Sequence, residues 1–320
     1  MEKQRRVIAL GFFDGVHLGH GALLRRVAGV SRAENARPCA FTFDQSPAAA
    51  LTGQAVPLLT GVEDRRRLME TLYGVRELIV APFSLLRDMD WRDFVTDYLQ
   101  KELGVVHAVA GHDFRFGYKG EGTPRRLKDL CGELGVGCDI IPKVEVDGIT
   151  VSSTHIRALI AQGELERAAR FLGHPHVLSG TVVHGHELGR TLGTPTANLL
   201  IPEGIIAPAF GVYAAKVWIL PVCPDNHEPP GPQRLPGEGP YMAVTNVGVR
   251  PTVSQGAALV TVEPWILDYR GDLYGKTIRL ELYRRLRPER KFDSTDELRS
   301  AILRNAEETR QYFAAEERVP

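Results

Sequence analysis

The stretch Gly11-Phe12-Phe13-Asp14-Gly15-Val16-His17-Leu18-Gly19-His20 constrains this chain more than any other. Before it runs Val7-Ile8-Ala9-Leu10, a continuous apolar run that reads as a buried strand. After it comes Ala22-Leu23-Leu24-Arg25-Arg26-Val27-Ala28-Gly29-Val30, whose apolar residues recur at helical spacing. The stretch is therefore expected to be a strand-to-helix turn. Glycine lets a backbone approach a ligand closely and take positive φ. The helix N-terminus that follows offers free N–H groups and a positive dipole end, which suit a phosphate. His17 and His20 fall on one side of that first turn and can face the same anion. The bland alternative, a tight connection with solvated histidines, is the weaker one, because chance seldom sets two histidines and these glycines in one frame.

The rest of the first half alternates strands and helices. Cys39–Phe43, Leu78–Ala81, His107–Gly111 and Asp139–Ile141 read as strands. Residues 62–73, with Val62, Leu68, Met69 and Leu72 among charges, read as an amphipathic helix that Gly74 caps. Trp91–Leu99 and Arg125–Leu134 read as further helices. This alternation implies a parallel sheet with helices on both faces. Ligands of such sheets bind beyond the carboxyl ends of the strands, at the switch point. Gly11–His20 and Gly111–Gly117 both follow strands and so are candidates to line that crevice. In the second of them, Asp113 can accept from a ribose or an amine. Phe114 and Phe116 can pack a ring, but alternating aromatics are more often core. Ser152-Ser153-Thr154 before Ile156, Leu159 and Ile160 is a helix N-cap, and its hydroxyls with Arg157 can also hold a phosphate.

Past His174-Pro175-His176 long helices give way to short β-rich runs: Leu178–Val183, Gly211–Ile219, Tyr241–Val244, Leu259–Leu267 and Thr277–Tyr283. These suit a small closed barrel. Pro221–Pro240, dense in Pro and Gly, reads as an exposed loop. Ser294-Thr295-Asp296-Glu297 is a capping box that opens a terminal amphipathic helix through Leu298, Ile302 and Phe313. In Gly193-Thr194-Pro195-Thr196-Ala197-Asn198, Thr196 and Asn198 fall on the same side if the run is extended. Their hard oxygens suit Mg²⁺ carried by a nucleotide. Gly271-Asp272-Leu273-Tyr274-Gly275-Lys276-Thr277 superficially resembles a P-loop. It has one residue too few between its glycines and no helix after it, so it is expected to be a turn between barrel strands.

A length of 320 residues is a soft prior for two domains, and 43% hydrophobic content fills a sizeable core. Lys+Arg and Asp+Glu both number 39, which gives no electrostatic argument for a nucleic acid or membrane partner. Arg65-Arg66-Arg67 and Arg284-Arg285 read by default as solvated faces. Cys39, Cys131, Cys138 and Cys223 form no C-x-x-C pair and read as reduced thiols of a cytoplasmic protein. Neither a transmembrane run nor a signal peptide is expected. Whether the chain forms a homo-oligomer is left open.

Taken in order, Gly11–His20, Gly111–Gly117 and Ser152–Arg157 resemble the adenylyltransferase half of bifunctional riboflavin kinase/FAD synthetases. Thr194–Asn198, followed by Asn246–Thr252 and then Glu263 with Asp268–Gly275, resembles the riboflavin kinase barrel of the same family. That resemblance implies a Rossmann-like nucleotidyltransferase domain at 1–174, which adenylylates FMN to FAD with ATP and releases pyrophosphate. It also implies a riboflavin kinase barrel at 175–320, which phosphorylates riboflavin to FMN with MgATP. By this resemblance His17 and His20 stabilise the ATP phosphates. Gly11, Phe13, Asp14, Gly15, Gly19 and Asp113 lie at the nucleotide, and Ser153, Thr154 and Arg157 at its phosphate end. Glu263 is implied as general base, Thr196 and Asn198 as Mg²⁺ ligands, and Gly185 and Asn198 as nucleotide contacts. The chain departs from the family pattern at Gln45-Ser46-Pro47, where Pro-His-Pro is usual, and at His155, where Arg is usual. It departs again at Thr194 and at Pro264-Trp265, and Pro264 is expected to leave its strand distorted or at an edge. The nearest rival is a riboflavin kinase whose front half has weak or no transferase activity. Further rivals are another nucleotidyltransferase, a flavin-binding regulator and a nucleic-acid-binding barrel.

Overall fold

The computed structural model describes residues 4–184, 194–221, 237–251 and 258–316. Packing divides the chain into two compact units, Met1–His155 with Phe171–Gly173, and Ile156–Arg170 with His174–Pro320.

The first unit is built on strands β1 (Arg6–Leu10), β2 (Arg37–Phe43), β3 (Glu77–Ala81), β4 (Val105–Gly111) and β5 (Gly137–Ile141). They form one sheet in the order β3-β2-β1-β4-β5, and every neighbouring pair is parallel. β1 lies at the centre, so Val7, Ile8, Ala9 and Leu10 are at most 1% exposed. A parallel strand needs a crossover, and helices Leu18–Ala33, Val62–Tyr73 and Pro124–Glu133 provide them, each carrying buried apolar residues. Strand order reverses between β1 and β4, which makes the gap beyond their carboxyl ends the switch point. The chain leaves β1 at Gly11 and ends β4 at Gly111, so both loops singled out in the sequence open there.

Helix Val62–Tyr73 ends as expected on Gly74, at φ 70°, whose N–H reaches the Glu70 and Met69 carbonyls. Helices Pro47–Thr52 and Phe83–Leu86 are too short to show a period, and sequence reading missed them. It also missed the small hairpin of β6 (Glu145–Val146) and β7 (Ile149–Thr150). Phe116 is buried with its ring 5.3 Å from that of Phe94, and Phe114 packs on the same core. The aromatic pair is thus core.

The second unit holds β8 (His176–Val183), β9 (Asn198–Leu200), β10 (Gly211–Ile219), β11 (Glu238–Pro251), β12 (Ala258–Ile266) and β13 (Thr277–Pro288). They close as β10-β11-β12-β9-β8-β13. Alternate residues such as Val182, Leu199, Val217, Val247, Val262 and Leu280 fill the interior and are at most 4% exposed. Glu238–Pro240, expected in the exposed loop, belong instead to β11, and 222–236 lie outside the described residues. Helix Thr295–Glu316 covers part of the outside, with Ala306 packed on Val212, Val244 and Leu267. Its capping box is made: Ser294 Oγ accepts from the Glu297 N–H at 3.1 Å. The Glu297 carboxylate accepts from the Asp293 N–H at 3.2 Å, one residue before the one expected.

Two expectations fail. Pro264 does not leave β12 at an edge, because β11 and β9 flank it. Its run against β11 is regular from Ala243↔Ile266 to Pro251↔Ala258. An antiparallel residue turns its N and its O toward the same neighbour. The Pro264 carbonyl accepts from the Ala197 N–H at 2.9 Å, so the missing donor faces β9, just where that three-residue strand begins. Arg284 is not a freely solvated face either. It pairs with Glu166 at 2.7 Å and lies 4.5 Å over the Tyr312 ring.

His176 is 1% exposed on β8, and its Nε2 has no hydrogen-bond partner among the described residues. Burial, outweighing a hydrogen bond to the Ile206 backbone, depresses its pKa to about 4. The unfolded chain binds this proton near pH 6.5, and the folded one refuses it until about 4. Stability is therefore full above the unfolded value and falls as pH drops through this window, by about 3 kcal/mol. Urea unfolding of the parent between pH 7 and 4 should show the fall, and His176→Gln should flatten it.

Candidate active sites

The Gly11–His20 turn is folded by its own short-range chemistry and clamped from behind. Phe13 takes φ 57°, Asp14–Val16 make one tight turn, and His17 caps the helix that follows. The His17 Nδ1 accepts the His20 N–H at 3.3 Å. A nitrogen that accepts carries no proton, so neutral His17 holds its proton on Nε2, as a donor. The two imidazoles stack 3.6 Å apart at 11°. His17 is 7% exposed, which excludes the solvated reading. Burial first, then His17 and Arg65, hold the pKa of His20 well below its ordinary value. At neutral pH the His20 ring is therefore uncharged and offers an N–H donor.

Asp14 is 2% exposed and faces inward, accepting from the Leu59 N–H at 2.8 Å and the Thr60 N–H at 3.2 Å. Thr60 Oγ1 accepts the Gly15 N–H at 2.9 Å. Thr42 Oγ1 donates to the Phe12 carbonyl at 2.9 Å, and Ser153 Oγ to the Asp14 carbonyl at 3.1 Å. Arg65 overturns its reading as a solvated face: it is 1% exposed and 3.7 Å from the Asp14 carboxylate. One glycine is required by geometry and a second is closely packed. Gly15 has φ 79°, and a Cβ there would lie 2.6 Å from Leu59 Cδ1. A Cβ on Gly19 would press on the His17 ring at 3.1 Å.

Gly11 and Phe13 sit at the same turn, where the Phe13 ring lies 5.0 Å from that of His20. Asp113 is exposed in the loop after β4, at the other side of the switch point. Ser152 Oγ accepts from the His155 N–H at 3.3 Å, so the N-cap reading holds. Thr154 is exposed, and Arg157 follows four residues after Ser153 on the same helix, Ser153–Gln162.

In the second unit, Thr196 and Asn198 line a cavity of about 470 Å³ with Pro195, Tyr269, Asp272 and Tyr274 among others. The Gly271–Thr277 run makes a turn on this cavity rather than a phosphate loop, with the Gly275 N–H donating to Val182. Val262 pairs with Leu199, and Ala197 N–H bonds the Pro264 carbonyl. Antiparallel register places Glu263 between those two contacts, directly across from Asn198. Such partners share a face with Cβ atoms about 5 Å apart. Asn246 stands on the other side of Glu263 in the same row. Gly185 lies outside the described residues.

Comparison with known proteins is consistent along the chain. A FAD synthetase family profile matches residues 1–155, and a riboflavin kinase profile matches 172–313. A bifunctional riboflavin kinase/FMN adenylyltransferase from Listeria monocytogenes is 35% identical over 97% of this chain and 93% of its own length. The one from Escherichia coli is 34% identical over 96% and 92%. The chain belongs to the bifunctional riboflavin kinase/FMN adenylyltransferase family. A crystal structure from Streptococcus pneumoniae, described as a macrolide-efflux protein, is 32% identical with a TM-score of 0.80, covering 97% of this chain and 95% of that one. Among the described residues no helix is long and apolar enough to cross a membrane.

Of the residues singled out in the sequence, the histidine pair follows β1, Asp113 follows β4, Thr196 and Asn198 line the cavity, and Glu263 stands within β12 across from Asn198. Three neighbours of these residues were not singled out: Thr60, which holds the Gly15 N–H, the buried Arg65, and Tyr274, which stacks on His184 at 3.8 Å and lines the cavity. Nothing in a run of three arginines marks one as buried. Gly15→Ala meets both the backbone strain and Leu59, so thermal unfolding should show a loss of about 1–3 kcal/mol. Gly19→Ala should cost much less, because its φ is unrestricted and only a side chain must give way.

Proposed function

We propose that residues 1–174 transfer AMP from ATP to FMN, and that residues 175–320 transfer the γ-phosphoryl group of ATP to riboflavin. The observation that carries this reading is two unrelated phosphate-handling arrangements in one chain. One is the stacked imidazole pair at the switch point, with His17 buried and His20 half-buried. The other is the Glu263–Asn198 row beside the cavity of the barrel.

In the kinase step, the riboflavin 5′-hydroxyl oxygen attacks the γ-phosphorus as Glu263 accepts the hydroxyl proton, and ADP leaves. The oxygens of Thr196 and Asn198 are hard donors on a cavity with room for water, which fits Mg²⁺. When bound there, that ion neutralises charge on the transferred group. Tyr269 and Tyr274 give the same cavity aromatic surface against which a flat ring can pack.

In the transferase step, an oxygen of the FMN phosphate attacks the α-phosphorus, and pyrophosphate leaves. No group of the chain becomes covalently bonded. The His17 and His20 N–H groups donate to phosphate oxygens whose charge grows in the transition state, and their fixed orientation is most of their value. The first turn of helix Ser153–Gln162, with Ser153 and Thr154, takes the departing pyrophosphate. Asp113 holds the nucleoside. We place the protein in the cytoplasm, where its described cysteines, Cys39, Cys131 and Cys138, stay free thiols.

Incubation with riboflavin and MgATP should yield FMN and then FAD, resolved by chromatography over time. Glu263→Gln should slow FMN formation by about 10²–10⁴-fold. FAD formation from added FMN should remain. A paired substitution of His17 and His20 by Asn should do the reverse. FMN accumulating with no FAD from the parent protein would favour a kinase with an inactive front half.

A further inference from the structure

Helix Val62–Tyr73 crosses behind the histidine turn and presents one residue that belongs to neither a solvated face nor an apolar core. Arg65 is 1% exposed. Its Nη1 donates to the Phe12 carbonyl at 3.1 Å and its Nη2 to the Thr60 carbonyl at 3.1 Å. The same Nη2 lies 3.7 Å from the Asp14 carboxylate, and the guanidinium plane sits 4.4 Å over the Phe12 ring. One side chain thus holds the backbone on both sides of the turn, at Phe12 and at Thr60. The Asp14 carboxylate closes the same loop through Leu59 and Thr60. A planar fork of donors suits several fixed acceptors better than a point charge does.

We propose that Arg65 is a positioning residue of the nucleotidyltransferase site, fixing the Phe12–Asp14 backbone that aims His17 and His20. This rests on the reading of that imidazole pair as the transferase site. Arg65 touches no reacting atom. It acts through the turn, and also through its charge: with burial and His17, it lowers the proton affinity of His20. The titratable and charged groups around the pair are His17 and Asp14 on the turn and Arg65 on the helix behind it. Tyr73, on that same helix, faces Gly21. Held in that geometry, the two rings meet an anionic triphosphate as donors already in place, with little reorganisation at the moment of binding.

Removing Arg65 alone strands a buried carboxylate and threatens the fold. The test therefore uses the full chain with Arg65→Gln combined with Asp14→Asn, which removes both charges and leaves groups able to hydrogen-bond, and Arg65→Lys as the conservative variant. Thermal unfolding and FMN formation from riboflavin check that each protein is folded. Three quantities are read: the parent's FAD formation from FMN and MgATP, that of each variant, and the titration midpoint of the His20 ring by NMR. In the double variant kcat for FAD formation should fall about 10- to 100-fold, and the His20 midpoint should rise. Arg65→Lys keeps the charge and loses the fork, so it should hold the parent's midpoint while turnover falls only part of the way. Unchanged FAD formation in the folded double variant overturns the proposal. So does a loss with the His20 midpoint unmoved, which marks a merely structural residue, or a loss in Arg65→Lys as severe as in the double variant. A parent that makes no FAD overturns the transferase reading itself, and the His20 midpoint still tests whether Arg65 governs the pair.

Discussion

A carboxylate and a guanidinium buried together, Asp14 and Arg65, hold the front of this molecule in place. Each is at most 2% exposed. Taking either away leaves the other an uncompensated charge in the interior, at a cost of about 3–5 kcal/mol. The pair is worth that exposure to risk because of where it sits. Strand β1 ends at a turn with positive φ at Phe13, Gly15 and Val16, which apolar packing alone would not hold. Asp14 and Arg65 bind that turn to the chain at Thr60 through backbone groups on both sides. With the turn fixed, the helix begins at His17, and the stacked imidazoles lie just past the carboxyl end of β1, beside the switch point.

The rear unit solves a related problem with a ladder in place of a buried ion pair. Glu263 and the two proposed oxygen ligands, Thr196 and Asn198, come from stretches far apart in sequence, β12 and the start of β9. Barrel closure makes them neighbours. The Val262↔Leu199 pair and the Ala197–Pro264 hydrogen bond bracket the contact and fix which residues face each other. A slip of one residue would turn Glu263 into the packed interior, so register and chemistry are tied together. Pro264 is tolerated beside the acid because its missing N–H faces the end of a three-residue strand, where little pairing is lost.

Much of this was legible in the sequence, for identifiable reasons. Parallel strands buried on both faces leave continuous apolar runs, and the helices between them end on glycines such as Gly74, so the order of the first unit could be read directly. The histidine turn was legible because its spacing is rare. What escaped was set by tertiary contact. Arg65, Arg66 and Arg67 look alike on the page, and only the packing of their helix buries the first. β9 is too short to show a period, and no local pattern says that residue 263 will meet residue 198. Resemblance to the family supplied Glu263 where periodicity could not. The inward turn of Asp14 was not legible either, since a carboxylate between glycines looks the same whether it meets a ligand or a backbone amide.

Two enzyme activities in one chain require two independent nucleotide sites. The most direct test is the stoichiometry of a non-hydrolysable ATP analogue, measured by calorimetry with Mg²⁺ and flavin present. Two analogue molecules per chain, of which replacing the histidine pair removes one, is the result this account predicts. A single molecule per chain, insensitive to that replacement, would contradict it.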